Sequence, residues 1–308
     1  MVSNPFYTDF RSKNTDRTAK KDGFGNVSGN EFDLAKDNAF KGKVIAILHL
    51  YTGIGHNENF DFLLPEKALQ EKGFSVVRWQ NALPDIEEFK KVLSKSTQLW
   101  IISTETQLLN ASYLNVIKDF FNQGHGLFLW GDNDPFHKDA DFVSQSLFNT
   151  TMSGYEMGDQ VVSLQKGNSK IGIVPNHPIT TGLEFLYEGI TIAAISINND
   201  LKPLMYSSAG NVVTAYYERD EKRAILDGGF TRLYCKWDTA GTARFVKNAA
   251  AWLANTERFD LKTNLTQQNK IENNSLDVNN IISKFDNKNI SSIIPQSLPN
   301  TDSTINKF

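Results

Sequence analysis

A doubly wound α/β domain, with a mostly parallel sheet and a β-rich second half, is predicted for residues 41–256. Three observations predict it. Short apolar runs recur, segments with apolar residues at helical spacing separate them, and no break in composition interrupts the stretch.

Residues 44–50 (VIAILHL) form a continuous apolar run, the pattern of a strand buried on both faces of a parallel sheet. After a Gly-containing loop, residues 62–72 have helical spacing and end at Gly73, where a helix C-cap belongs. Residues 74–79 (FSVVRW) read as the next strand. A helix over 84–93 opens with Asp85, Glu87 and Glu88, which suit the positive end of the helix dipole. The alternation repeats as strand 99–103 (LWIIS), helix 111–123, strand 126–130 (GLFLW) and helix 135–148. Leu114, Ile117, Phe120 and Phe121 share one face of the 111–123 helix. Such spacing implies right-handed βαβ crossovers that cover the sheet on both faces. Short strands are then expected at 160–164, 171–175, 190–195, 204–207, 212–217 and 223–227. An amphipathic helix over 240–253 closes the region, with Asp238 or Thr239 as its N-cap.

The 308 residues are 40% apolar and include 21 Phe and 5 Trp, enough for a sizeable core. A net charge of −3 gives no electrostatic reason to expect nucleic acid or an anionic membrane as partner. No stretch approaches the roughly 18 apolar residues of a membrane span. The first 30 residues lack the apolar core of a signal peptide, so a soluble cytoplasmic protein is expected. The Asn-x-Ser/Thr triplets at Asn110 and Asn149 then read as chance. Cys235 is the only cysteine, which excludes an intramolecular disulfide and a Cys-based zinc site. Residues 1–40 read as a polar, mostly mobile arm that either packs loosely on the domain or meets a partner. Residues 257–308 are too polar to offset their ordering entropy and read as a disordered tail. Within it, 276–285 (LDVNNIISKF) has the spacing of a short docking helix.

Ligands of doubly wound folds gather at the carboxyl ends of the parallel strands. Those loops carry His49, Tyr51, His56, Glu58, Thr104, Glu105, Asp132, Asn133 and Asp134. Asp132, Asp134, His56 and His177 are the candidates for acid–base work. Asp132, Asp134 and His137, followed by Asp139 and Asp141, alternate groups that a divalent metal takes. The alternative has Asp132 and Asp134 capping a helix that starts at Pro135, with Asp139 and Asp141 on its solvated face. His177, in Asn-His-Pro-Ile-Thr, is a base or a turn residue, and His125 a turn residue far from the rim. Gly228 and Gly229 permit close backbone approach, to a ligand or within a chain reversal. Arg232, Tyr234, Lys236 and Trp237 combine the residue types of interface hot spots and form the candidate partner surface.

Three segments carry a family resemblance: HLYTGIGHNENFDFLLPEKALQEKGFSVV (49–77), NHPITTGLEFLYEG (176–189) and RAILDGGFTRLYCKWDTAGTARFVKNAAAWLAN (223–255). Together they resemble the class I glutamine amidotransferase-like superfamily. The similarity is to the branch that holds trehalose-utilisation-type proteins and a domain of an intraflagellar-transport subunit. The resemblance implies a flavodoxin-like fold over roughly 210 residues. Active members set a cysteine in Gly-x-Cys-x-Gly on a strand-to-helix turn and a His-Pro-Glu after a late strand. Here GLFLW runs into Gly131-Asp132-Asn133-Asp134-Pro135, and RAILD into Gly228-Gly229-Phe230-Thr231. Glutaminase chemistry is therefore not expected. The expected function is a non-catalytic binding or scaffolding module without a cofactor, its partner a protein or a small polar ligand. The alternative is a hydrolase or isomerase on a sugar-like or amide substrate, using the rim acids and histidines with or without a divalent metal.

Overall fold

The apolar run at 44–50 supplies β1 (Val44–His49), which lies parallel to β2 (Ser75–Gln80) on one side and β3 (Ser96–Ile102) on the other. The computed structural model describes residues 4–8, 18–51, 53, 61–234 and 236–261. His56, Glu58, Cys235 and the 276–285 segment lie outside the described residues. The main body ends at Arg258.

Beyond β3 comes β4 (Gly126–Trp130), also parallel. Helices α1 (Leu63–Glu71), α2 (Ile86–Leu93), α3 (Ala111–Asn122) and α4 (Lys138–Phe148) follow the four strands in turn. Local chemistry sets their ends. Asp85 accepts the Glu87 N–H at the start of α2, and Asn110 accepts the Ser112 N–H at the start of α3. Past the end of α1, Gly73 has φ +96°, and a Cβ there would stand 2.8 Å from the Lys41 backbone nitrogen. Only glycine fits.

The second half adds β5 (Met152–Met157), β6 (Val161–Ser163), β7 (Gly172–Ile173), β8 (Phe185–Tyr187), β9 (Thr191–Ile195), β10 (Leu201–Tyr206), β11 (Val212–Arg219) and β12 (Lys222–Asp227), then α5 (Thr242–Leu253). Among the described residues the main sheet runs β2-β1-β3-β4-β12-β11-β10-β7. Its first five strands are parallel and the remaining three alternate in direction. β5 pairs with β9 and β6 with β8 as separate antiparallel ribbons. One sheet face packs Trp100, Phe128 and Trp130 under α1 and α5; the other packs Leu48, Leu99 and Leu129 under α2, α3 and α4.

Four points differ from the sequence reading. β5 was not expected because one residue of its six is buried, so it has no apolar signature. β8 was not expected because its three residues follow a Pro-containing turn. α4 begins at Lys138, and the Asp132 and Asp134 side chains do not cap it; its N-cap position is His137, without a side-chain bond. α5 takes Gly241, at φ +71°, as its N-cap in place of Asp238 or Thr239.

Residues 18–40, read as an arm, are built into the body as far as they are described. Val27, Phe32, Leu34, Ala35 and Phe40 are buried. Phe40 stacks on Phe74 with ring centres 4.5 Å apart. Asp33, fully buried, lies 2.9 Å from Lys72, 2.8 Å from Arg244 and 2.7 Å from Lys247. The polar composition concealed this because the segment buries its charge against cations more than 35 positions away in sequence. Asn248 of α5 adds a second tie. Its side-chain oxygen accepts the Leu34 N–H at 2.7 Å, while its NH2 donates to the Ile179 and Thr181 carbonyls.

Candidate functional site

Strand order reverses at β1, with β2 to one side and β3 and β4 to the other, so a crevice lies outside the carboxyl ends of β1 and β3. His49, the last residue of β1, stands there. Its Nδ1 is 3.1 Å from Arg78 Nη1 and its Nε2 is 2.9 Å from the Tyr234 hydroxyl. A guanidinium only donates, so Nδ1 accepts, and the ring proton sits on Nε2, pointing at the phenol oxygen. Burial and then the Arg78 charge hold His49 down at about 4, so the imidazole is neutral at physiological pH. The two rings stack at 5.5 Å. Burial, with the Tyr51 and Asp132 groups behind it, holds the Tyr234 phenol well above its ordinary value.

Asp132 follows β4 and is fully buried. Its Oδ1 accepts the Asn133 N–H at 2.8 Å and the Thr191 hydroxyl at 2.9 Å; Oδ2 accepts the Thr231 N–H at 3.2 Å. Burial pushes its carboxyl up to about 7, against the pull of these neutral donors. Asp227 ends β12. It accepts from the Thr214 hydroxyl at 2.6 Å and the Gly229 N–H at 3.0 Å, and pairs with Arg232 at 3.1 Å. Arg232 also donates to the Gly229 and Glu188 carbonyls and lies over the Phe245 ring. These bonds draw the 3-10 turn Phe230–Leu233 across the strand ends. Tyr51 completes the packing, 4.7 Å from Phe230 and 5.4 Å from Phe136.

The glycine pair serves this closure. A Cβ on Gly228 would lie 2.1 Å from the Ala193 oxygen, and one on Gly229 2.4 Å from the Glu188 oxygen. At both positions the side where a Cβ would stand is filled by backbone of the neighbouring segment.

Three other expectations need correction. Arg232, Tyr234 and Trp237 are 0%, 8% and 7% exposed, so they form no partner surface; Lys236 alone reaches solvent, 3.5 Å from Asp159. The Asp227 carboxylate five residues before Arg232 is the signal that marks this arginine as internal. The acids of the 132–141 stretch face different segments. Asp134 is exposed, near Lys138 and His137; Asp139 is buried and accepts the Leu108 and Leu109 N–H groups; Asp141 accepts the Met152 N–H. Asp139 is thus not on a solvated face. Among the described residues no three His, Cys, Asp or Glu side chains are grouped to hold a metal. Asn133 turns its amide onto the Asp134 carbonyl, and the exposed Glu105 takes a bond from Thr104.

His177 is not at the rim. It packs against Tyr216 and Trp252, at ring distances of 4.2 and 5.2 Å, and its Nδ1 accepts the Ile179 N–H. Trp252 lies in the last turn of α5, at the opposite end of the sheet from the crevice. With Asn248 gripping Ile179 and Thr181, the two sequence motifs NHPIT and NAAAWL are one packing unit. Burial above all holds His177 down at about 3. The folded chain therefore takes up fewer protons than the unfolded one between about pH 6.5 and 3, and the stability this residue contributes is present above 6.5 and drains away as pH falls. His177→Phe is expected to melt lower than the parent at pH 7, by about 1–3 kcal/mol for the stranded Ile179 N–H. The gap should narrow or invert by pH 5 in thermal melts.

The residues that sequence reasoning missed are Arg78, Thr191, Thr231, Glu188 and Asp227. Arg78 had a signal, as a lone charge within an apolar strand; Thr191 and Thr231 had none.

No protein-family model and no curated protein sequence matches the chain. Solved structures do. The mmIFT52 N-terminal domain aligns over 68% of this chain and 97% of its own, with TM-score 0.51 and 13% identity. A cytoplasmic protein from Salmonella typhimurium LT2 aligns over 68% and 99%, with TM-score 0.51 and 11% identity. The chain has the class I glutamine amidotransferase-like fold. That shared fold, mostly parallel and flavodoxin-like with antiparallel strands in its second half, is what these identities establish. The amidotransferase-like body carries the crevice, and no described helix is long and apolar enough to cross a membrane.

Proposed function

We propose that this chain is a non-catalytic binding or scaffolding domain that keeps the amidotransferase-like fold. One observation carries the reading: the crevice at the strand ends is occupied by the chain's own side chains, each bonded to another. His49, Asp132, Asp227, Arg232 and Tyr234 are all at most 8% exposed. A catalytic pair needs a reacting group that a substrate can reach, and these groups instead fasten the 3-10 turn to the sheet. The sequence resemblance supports the same reading, since by it an Asn or Asp, Asp132 or Asn133, takes the place of the cysteine of active members. The partner is another protein or a small polar ligand, met in the cytoplasm on the outer surface of the domain. A net charge of −3 supports neither nucleic acid nor an anionic membrane in that role.

The test is a turnover assay of the full chain against chromogenic amides, esters and glycosides, with and without divalent ions. No turnover above buffer is expected. Turnover that falls about 100-fold or more (about 2.7 kcal/mol in barrier) in Asp132→Asn, with the melting temperature kept, would establish the hydrolase reading in its place.

A further inference from the structure

We propose that the cavity between the hairpin at residues 21–27 and the amino end of α5 binds a small organic cation that carries a hydroxyl group, an amino alcohol. The site rests on the binding reading above, whose small polar ligand it gives a place and a class. It shares no residue with the crevice at the strand ends.

The cavity has a volume of about 320 Å³. Small-molecule sites span about 300–1,000 Å³. Local chemistry builds its walls. In the hairpin, Lys21 pairs with Val27, and Asp22 Oδ1 accepts the Phe24 and Asn26 N–H groups, each at 2.9 Å. The Asn26 side chain fastens the hairpin to the start of β8: it accepts the Glu184 and Phe185 N–H groups and donates to the Phe185 carbonyl. Opposite, the Thr239 N–H bonds the Lys236 carbonyl and the Thr242 hydroxyl bonds the Thr239 carbonyl, which fixes the turn that carries Trp237 and Asp238. Both walls are set by the chain itself, so little ordering cost falls on binding.

Charge decides the class of ligand. At the inner end, Lys72, Arg244 and Lys247 are matched by Asp33, Asp37 and Glu71. Arg244 also donates to the Val27, Gly29 and Gly182 carbonyls, so these cations are spent on the chain's own acceptors. Asp22 and Asp238 line the cavity too, are exposed, and have no cation within ion-pair distance among the described residues. The amino end of α5 contributes about half a positive charge, which either carboxylate outweighs. The balance favours a cation. Phe24, 44% exposed, and Trp237 complete the lining. Aromatic faces attract an organic cation that has shed part of its water. Trp237 adds a second requirement. It is 7% exposed, and its indole N–H has no acceptor among the described residues. An indole N–H only donates, so the ligand brings the oxygen. An ammonium for the carboxylates and a hydroxyl for the indole together describe an amino alcohol.

The experiment is calorimetric titration of the full chain with ethanolamine and with choline, and backbone amide NMR to place them. Glycerol, which has hydroxyls and no charge, and inorganic phosphate are the controls. Saturable binding of the amines is expected, with shifts at Phe24, Ser28, Thr239 and Ala243 and none at His49 or Thr231. Asp22→Asn and Asp238→Asn should each weaken it about two- to fivefold, the size of an exposed ion pair. Asn at position 22 keeps the side-chain oxygen that holds the hairpin, so the wall stands. Trp237→Phe keeps an aromatic face without the donor, and should bring choline down to the affinity of tetramethylammonium. The site is overturned if neither amine saturates, if phosphate binds in their place, if glycerol binds as tightly as ethanolamine, or if both Asn variants bind like the parent. Shifts confined to His49 and Thr231 overturn it as well. Turnover in the assay above would sink the non-catalytic reading and leave this titration unchanged, so the two failures are told apart.

Discussion

A chain that begins at residue 41 is expected to be unfolded or insoluble, although the sequence alone places a domain boundary there. Val27, Phe32, Leu34 and Phe40 are buried in the folded body. At about 1.5–3 kcal/mol for each large apolar side chain removed from water, their gross contribution is on the order of 6–12 kcal/mol. Net stabilities of domains are about 5–15 kcal/mol, so even after the ordering entropy is returned the loss is of the same size as the whole. The polar groups make it worse. Truncation removes Asp33 and Asp37, the two carboxylates paired with Lys72, and leaves Lys247 with Glu71 at 3.5 Å in place of Asp33 at 2.7 Å. It also strands the Asn248 side-chain oxygen that the Leu34 N–H satisfied. The single substitution Asp33→Asn isolates the charge effect and is expected to cost about 3–5 kcal/mol, the loss seen when one partner of a buried ion pair is removed. Circular dichroism and thermal melts of both proteins decide it. A truncated chain that melts cooperatively near the parent temperature would show that the arm is an accessory.

That segment shows what the sequence made legible and what it hid. The order β1 to α4 is readable because buried parallel strands are continuous apolar runs, and VIAILHL, LWIIS and GLFLW have strand length and alternate with segments of helical spacing. Where structure rests on pairwise chemistry between distant positions, composition misleads. Asp33 looks like one of many surface acids, because Lys72, Arg244 and Lys247 complete its site only in three dimensions. His49 was placed from strand position alone and does end β1, but its partners Arg78 and Tyr234 stand 29 and 185 positions away. Asp132 was singled out as a candidate acid for its place after β4. Its dependence on Thr191 and Thr231 was invisible, since β9 is a short strand and threonines carry no positional signal. His177 was read two ways, and the structure gives the reason for the turn reading: its ring packs on the tryptophan in the last turn of α5.

Arg232→Met is expected to be among the most destabilising single substitutions in the chain, and Lys236→Glu four positions later to be nearly silent. The sequence groups these two residues as one basic surface, so the contrast separates a surface from a pin. Arg232 is fully buried and pairs with Asp227, which is fully buried as well. Removing the cation leaves the carboxylate with the Thr214 hydroxyl and the Gly229 N–H as its described donors, and frees the Gly229 and Glu188 carbonyls of theirs. Burial already pushes the Asp227 carboxyl up even with Arg232 in place, so without it the carboxyl must take a proton or open the turn to water. Either way the cost is about 3–5 kcal/mol, which at about 2–4 °C per kcal/mol lowers the melting temperature by roughly 10 °C. Lys236 is 40% exposed on its side chain and meets Asp159 at the surface, where such pairs are worth about 0–1 kcal/mol. The double variant Arg232→Met with Asp227→Leu removes both charges and should recover part of the loss, because an apolar pair has no ion to desolvate. If instead Arg232→Met melts with the parent, the guanidinium is not buried against Asp227, and the 3-10 turn is free to leave the strand ends. A partner that is then lost on Lys236→Glu but kept on Arg232→Met would return the basic stretch to the surface. Loss on Arg232→Met alone, together with a lower melting temperature, reports the fold and not the contact.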